Sequence, residues 1–281
     1  MLMADLLFYF ENIPKEYRTI FLVGGLSVLT LLESNFPLLN FQYKKIKHIS
    51  LNLFFTLTTV LINLAGASLI LYASIQSELL GFGLLKFLDL PLVFEILIGI
   101  MFLDLVGAWL VHFLEHKVRF MWRFHIIHHT DPFVDASTGL RHHPGEAIFR
   151  LTFTSLAVFL SGASFGIVML YQTLSVFFAH CTHANIKIPT KFDSILSYVF
   201  VTPDFHKVHH HFALPKTDSH YGNIFSLWDH IFNCSIKNYK MQSIKYGLDT
   251  HMDIKETRNI KTLLLIPFQK YRAPRGSKFS A

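Results

Sequence analysis

Read from its amino terminus, the chain alternates long apolar runs with short polar seams. The first run covers 19–32, is extended loosely by FPLLNF (36–41), and closes at the basic cluster KKIK (44–47). A second, from 49 to about 75, is long enough to cross a hydrocarbon core, which needs about 20 residues. The third, 90–111, holds Glu95 and Asp104 within an otherwise apolar stretch. Beyond about residue 185 no run of membrane length recurs.

The fourth run, 148–179, is interrupted by Ser161-Gly162-Ala163-Ser164. Its halves, roughly 13 and 15 residues, are each short for a full span. As one straight helix it would carry His180 and His183 to the opposite membrane face from the histidines at 112–129. The pattern therefore predicts a hairpin, or a pair of tilted helices, returning to the same face, with small residues at the turn permitting close approach.

Composition agrees with this reading. Apolar residues make up 52% of the 281, with 29 Phe, and only 16% are charged, against about a quarter in soluble domains. Mean hydropathy is +0.40. These values place the chain among integral membrane proteins. The net charge of +6 gathers at 44–47, around Lys117, Arg119 and Arg123, and in the last part of the chain. Basic clusters abutting apolar spans report topology and anionic head groups rather than nucleic acid. By that rule 44–47 is cytosolic, 76–89 lies outside, and His112 emerges on the cytosolic side. The opening MLMADLLFYFEN has no basic n-region or cleavage site, so the first span is expected to act as its own insertion signal. Cys181 and Cys234 form no CxxC pair, as suits a reducing compartment.

Seventeen histidines change the picture further. HFLEH (112–116) places His112 and His116 one helical turn apart. FHIIHH (124–129) sets His125, His128 and His129 at i, i+3 and i+4, and FHKVHH (205–210) repeats this with His206, His209 and His210. Neutral imidazole is a strong ligand for iron, zinc and copper. Eight histidines exceed the three or four of one zinc site, so the count points to two ions, with RHHPGE (141–146) and HCTHANIKIP (180–189) offering further ligands. An all-imidazole pair facing a bilayer suits iron and oxygen activation, while the spacing alone also admits zinc, manganese or cobalt. His48, His220, His230 and His251 read as ordinary side chains. His142 and His211 adjoin motif positions and are ambiguous.

HFLEH, FHIIHHTDPFVDASTGLRHHPGE, HANIKIP, VTPDFHKVHHH and YGNIFSLWDHIF together resemble the fatty acid hydroxylase superfamily, and within it the sterol desaturase group, over roughly 100–235. The resemblance implies a non-haem di-iron centre at the cytosolic side of a small bundle of membrane helices. Position by position it implies His112, His116, His125, His128, His129, His143, His183, His206, His209 and His210 as ligands, His143 being the histidine before proline in RxHPxE. His180 is an extra candidate. Trp109 keeps an aromatic near His112, whereas Phe113 replaces an arginine usual in relatives.

Imidazole ligands commonly donate their second N–H to a carboxylate or carbonyl, so Asp104, Asp131, Asp135, Glu146, Asp218 and Asp229 are the candidate supports. Asp104 is favoured because an intramembrane carboxylate is costly without partners. The expectation is thus an all-α integral membrane protein: a small transmembrane helix bundle with a cytosolic-face, histidine-rich helical cap. Residues 1–99 would be membrane helices, 100–235 the catalytic region with its hairpin at about 148–180, and 236–281 a basic cytosolic tail. The function expected is hydroxylation or desaturation of a lipid with O₂. It would use two iron ions (with zinc able to substitute) and electrons from a ferredoxin or cytochrome b5-like donor, since no flavin, haem or nicotinamide motif is present. A zinc-dependent lipid hydrolase would need fewer ligands and a general base. A metal transporter would spread its ligands along a path through the membrane.

Overall fold

In the computed structural model, which describes residues 2–237, 239 and 241–276, a short helix α1 (Leu2–Glu11) leads into α2 (Lys15–Asn35), α3 (Lys45–Leu79) and α4 (Leu84–Leu88). Helix α5 (Leu92–Asp104) continues through a π-helical turn (Leu105–Leu110) into α6 (Val111–Lys117). One extended residue, Val118, separates it from α7 (Arg119–His129). A 3₁₀ turn (Ala136–Leu140) precedes the pair α8 (Pro144–Ser161) and α9 (Phe165–His183). Five short helices follow: α10 (Thr190–Leu196), α11 (Pro203–His209), α12 (Leu227–Ile231), α13 (Ile254–Thr257) and α14 (Ile260–Leu265). The described residues form isolated β-bridges but no strand.

Among the described residues, four helical stretches are long and apolar enough to cross a membrane: Glu16–Asn35, Lys45–Leu88, Leu92–Lys117 and Phe165–His183. Their outward faces carry large exposed apolar side chains, among them Leu57, Leu61 and Leu64 of α3. Such surface is unfavourable in water by about 25 cal/mol per Å² and costs nothing against lipid. The chain is an integral membrane protein.

The fourth apolar run does break where its small residues fall. Helix α8 ends at Ser161 and Gly162 caps it at φ 68, a left-handed conformation that costs other residues roughly 1–2 kcal/mol. The turn also abuts Gly83, where a Cβ would sit 2.4 Å from Gly162 N. The helices, of 18 and 19 residues, are longer than the apolar halves. They extend into the polar ends: His143 caps the first turn of α8 through Gly145 N, and α9 continues through His180 and His183. Both outer ends meet the same histidines, with Glu146 2.8 Å from His125 and His183 3.1 Å from His128.

Beneath the histidines, Ile96, Ile100 and Leu103 of α5, Ala157 and Val158 of α8, and Ile167 and Val168 of α9 form the main apolar core, joined by Phe10 and Ile13 near α1. The described residues of the segment after 236 pack onto the bundle. Leu248, Leu263 and Ile266 bury against Leu51 and Phe55 of α3 and Trp122, Ile126 and Ile127 of α7. Arg123 donates to the carbonyls of Pro267 (2.6 Å) and Gln269 (2.5 Å), and Arg141 to that of Thr257 (2.9 Å). Reading that segment for its charge alone overlooked these few apolar positions.

Candidate metal centre

Two groups of imidazoles lie side by side at the buried end of the bundle. His112 and His116 of α6, His125 and His129 of α7, and His209 of α11 each bring one nitrogen within 4.8 Å of the others. His128 of α7, His183 at the end of α9, His206 of α11 and His210 just past its end form the second group by the same measure. The repeated HxxHH motifs are therefore used in a crossed fashion. FHIIHH gives its first and third histidines to one group and its second to the other. FHKVHH does the opposite. Helical periodicity explains the split, since i and i+4 share a face from which i+3 is rotated. The groups share a wall, with ring centroids 5.1 Å apart for His125 and His128, and 5.0 Å for both His129–His210 and His206–His209.

The outer nitrogens show what holds the rings. Nδ1 of His112 faces the Tyr221 carbonyl at 2.8 Å, that of His183 the Ala179 carbonyl at 2.7 Å, and that of His209 the Ser219 carbonyl at 2.6 Å. Nδ1 of His125 meets Glu146 Oε1 at 2.8 Å. Each acceptor requires the ring to donate from Nδ1, which leaves Nε2 a bare lone pair pointing inward.

Those inward nitrogens are too close to be left alone. Nε2 of His112 is 3.2 Å from Nε2 of His125, which is 3.1 Å from Nε2 of His129. Nε2 of His183 is 3.1 Å from its counterparts in both His128 and His206. His112 with His125 thus sets two lone pairs face to face with no proton between them, and a cation there turns the repulsion into coordination. Metal–imidazole bonds of about 2.1 Å at right angles place neighbouring nitrogens about 3 Å apart, close to the spacing observed. Nε2 of His209 and both nitrogens of His210 are buried with no hydrogen-bond partner. Protonation is resisted as well: burial first, then neighbouring imidazoles, hold His128, His129 and His210 well below the ordinary histidine range. The residues present fit a pair of imidazole-bound metal ions.

Nine of the ten histidines implied by the family pattern enter these groups, and His143 does not. Its Nδ1 accepts from Gly145 N and its Nε2 faces the Leu264 carbonyl at 3.3 Å. Its neighbour His142 stands at the site instead, its ring stacked on His128 at 4.8 Å and its Nδ1 2.7 Å from Glu146 Oε1. Position before proline misleads because the proline starts α8, which turns the preceding side chain to cap the helix. His180 faces the Ala136 carbonyl through Nδ1 (2.9 Å) and joins neither group.

Of the six carboxylates, only Glu146 hydrogen-bonds a histidine of either group. Asp218 receives Tyr221 Oη (2.6 Å) and Lys117 Nζ (2.5 Å), with His116 Nδ1 at 3.9 Å. Asp104 accepts from Ile224 N, Phe225 N and Trp228 Nε1, and Asp229 from Trp109 Nε1, Tyr221 N and Gly222 N. These two hold the 221–228 loop, and so act on His112 through the Tyr221 carbonyl. Asp131 and Asp135 instead grip His48, which lies 2.8 Å from Asp131 Oδ1 and 3.0 Å from Asp135 Oδ2. Burial works against the Asp131 charge, but His48 and Arg141 outweigh it and hold the carboxyl well below its usual range.

His220, His230 and His251 bond locally to Ile236 N, the Ser197 carbonyl and Thr250 Oγ1, and His211 accepts from Lys245 N. Sequence reasoning missed Glu115, fully buried inside HFLEH, which receives Arg150 NH2 at 2.6 Å and lies 3.6 Å from His125. Its place between the two histidines of a motif was the available signal. Glu33 was also missed: buried on α2, it accepts from Ala136 N and Asn185 N and pairs with Lys45.

Comparison with known proteins places this site in a family. Residues 96–234 match the family model described as fatty acid hydroxylase, and over that stretch the chain belongs to it. An ornithine lipid hydroxylase, OlsE, of Rhizobium tropici is 26% identical over 141 residues, covering 50% of this chain and 41% of that protein. The alkylglycerol monooxygenase of Caenorhabditis elegans is 30% identical over 147 residues (51% and 27% of the two chains). The human alkylglycerol monooxygenase is 28% identical over 146 residues (52% and 31%). The match thus spans less than half the length of each of these relatives. No solved structure matches the chain.

Proposed function

We propose that this member of the fatty acid hydroxylase family is a membrane-bound, non-haem di-iron oxidoreductase that uses O₂ to hydroxylate or desaturate a lipid. The observation that carries the reading is the pair of adjoining, buried, all-imidazole groups with inward-facing Nε2 atoms. His112, His116, His125, His129 and His209 would hold one ion, and His128, His183, His206 and His210 the other. Two irons held there would supply the two-electron activation of O₂ that attack on an unactivated C–H bond requires.

The chain's own contribution is positional and electrostatic. The Tyr221, Ala179 and Ser219 carbonyls and Glu146 fix the tautomers of four ligands, so no reorganisation is needed at the moment of reaction. Burial excludes water from the centre. The lipid enters sideways from the bilayer, and its reacting segment meets the histidines where α6 and α9 end and α8 begins. Hydroxylation consumes O₂, two electrons and two protons per lipid and yields one water. The electrons come from an external ferredoxin or cytochrome b5-like protein, and the histidine end of the bundle faces the cytosol, in keeping with the basic cluster at 44–47. The relatives are named for ornithine lipid and alkylglycerol, both lipids, which supports the substrate class. Ligands gathered in two adjoining groups do not suit a transport path through the membrane.

Metal analysis and O₂ uptake test the reading together. Protein from iron-replete cells should hold two irons per chain and consume O₂ when reductant and lipid are supplied. One zinc and no iron, with no O₂ uptake, would overturn it.

A further inference from the structure

Away from the histidines, at the amino-terminal end of α3, the structure forms an open cavity of about 420 Å³. This is within the size range of sites for small organic ligands. Its wall includes Lys44, Lys47, Arg258 and Lys261, together with the apolar Leu51, Pro132, Phe133 and Ile260. All four cations are exposed at its rim. None of them forms an ion pair among the described residues; Arg258 rests on the Phe133 ring at 5.2 Å.

One carboxylate also lines the cavity, but it is already saturated. Asp131 faces His48 Nε2 through both oxygens (2.8 and 2.9 Å) and accepts from Phe133 N and Thr138 Oγ1. Arg141, also in the wall, is buried and spends its donors on Ile127 O, Asn52, Thr130 and Thr257 O. The uncompensated charge of the cavity is therefore that of its rim, and it is positive.

Helix α3 sharpens the point. Over 35 residues it has no side-chain cap at Lys44 and no acid in its first turn, which instead carries Lys45 and Lys47. Lysines at the positive end of a helix dipole oppose it, whereas an anion there satisfies both the dipole and the free amides. Membrane-span residues begin at the same place, so the rim lies where a bilayer's head groups end.

We propose that this cavity is an anion site that takes the phosphate of a lipid head group, held between Lys44 and Lys47 on one side and Arg258 and Lys261 on the other. The apolar wall of Leu51, Phe133 and Ile260 takes the glycerol and the first methylenes. Bound there, the lipid braces α3 against the α13–α14 segment and against residues 131–141, which join His129 to His142. The assignment does not depend on the chemistry at the metal centre.

Calorimetric titration of the purified full-length protein in a neutral detergent tests it, with dihexanoyl phosphatidylglycerol and inorganic phosphate as separate probes. The lipid should bind the native chain at least roughly tenfold more tightly than the K47E/R258E variant. A second pair, K191E/K270E, makes the same change in charge outside the cavity and should bind like the native chain. Phosphate alone binding as tightly as the lipid, and lost in K47E/R258E, would keep the anion site but assign it to a free anion. Equal binding by native and K47E/R258E proteins, or equal loss in both variants, would overturn the proposal.

Discussion

Glu146 Oε1 stands 2.8 Å from Nδ1 of His125, while Nε2 of the same ring faces His129 at 3.1 Å. One carboxylate thus sets both the tautomer and the aim of an imidazole in the larger group. E146Q keeps the shape but can present an amide N–H to the ring. It should weaken metal retention by about 10- to 100-fold, measured as metal per chain after dialysis against graded chelator. Retention equal to the native chain would show that His125 needs no such support.

His143→Ala and His128→Ala should separate the two histidine roles. The first removes a helix cap and should cost about 1 kcal/mol of stability with metal content unchanged. The second should lose metal outright. Elemental analysis of both purified variants decides the matter, and loss of metal from His143→Ala would return that residue to the ligand set.

D104A strips the common acceptor from Ile224 N, Phe225 N and Trp228 Nε1. Each abandoned donor costs about 1–3 kcal/mol, so the variant should unfold on the order of 3 kcal/mol more easily. Thermal unfolding in detergent measures this. A change within about 0.5 kcal/mol would mean the 221–228 loop is held by other means.

Acid should unfold the metal-free protein from just below neutrality. Burial depresses the pKa values of His125, His128, His129, His206, His209 and His210 in the fold, while the unfolded chain regains ordinary histidines. Below the unfolded value of about 6.5 the unfolded state binds more protons, so stability falls as pH drops. Each such histidine contributes up to about 1.4 kcal/mol per pH unit. Denaturant midpoints at pH 7.5 and 5.5, compared with and without metal, test the sign. A flat profile for the metal-free chain would contradict it.

Gly83→Ala should disturb the hairpin without touching a histidine. The added Cβ would lie 2.4 Å from Gly162 N, at a φ of 128 that alanine resists. Destabilisation of about 2 kcal/mol or more should appear in thermal unfolding, and wild-type stability would mean the two turns can separate.

Much of this architecture was legible along the chain because its two strongest signals are local. Apolar runs mark the helices against lipid, and HxxHH fixes which rings share a helical turn. Which ring of each triplet serves which group was not legible, since that depends on the rotation of α7 and α11 about their axes. The exchange of His142 for His143 is similar: both adjoin the proline, and only the path of α8 decides which one turns inward. Asp131 and Asp135 looked like ligand supports because they follow FHIIHH closely. Their partner, His48, comes from another helix and carried no motif of its own. The C-terminal cover escaped notice because a few apolar positions scattered among lysines give no periodic signal.

The crossed use of the two histidine triplets has a bearing on biosynthesis. A ribosome that has delivered α6 and α7 has supplied four of the five imidazoles of the first group, His112, His116, His125 and His129, but only His128 of the second. The missing donors of both groups, save His183, arrive together on the single turn His206–His210. Neither site is complete until that turn is docked. Completion of both imidazole groups is therefore a late event in maturation, and a chain stalled or clipped before residue 206 completes neither.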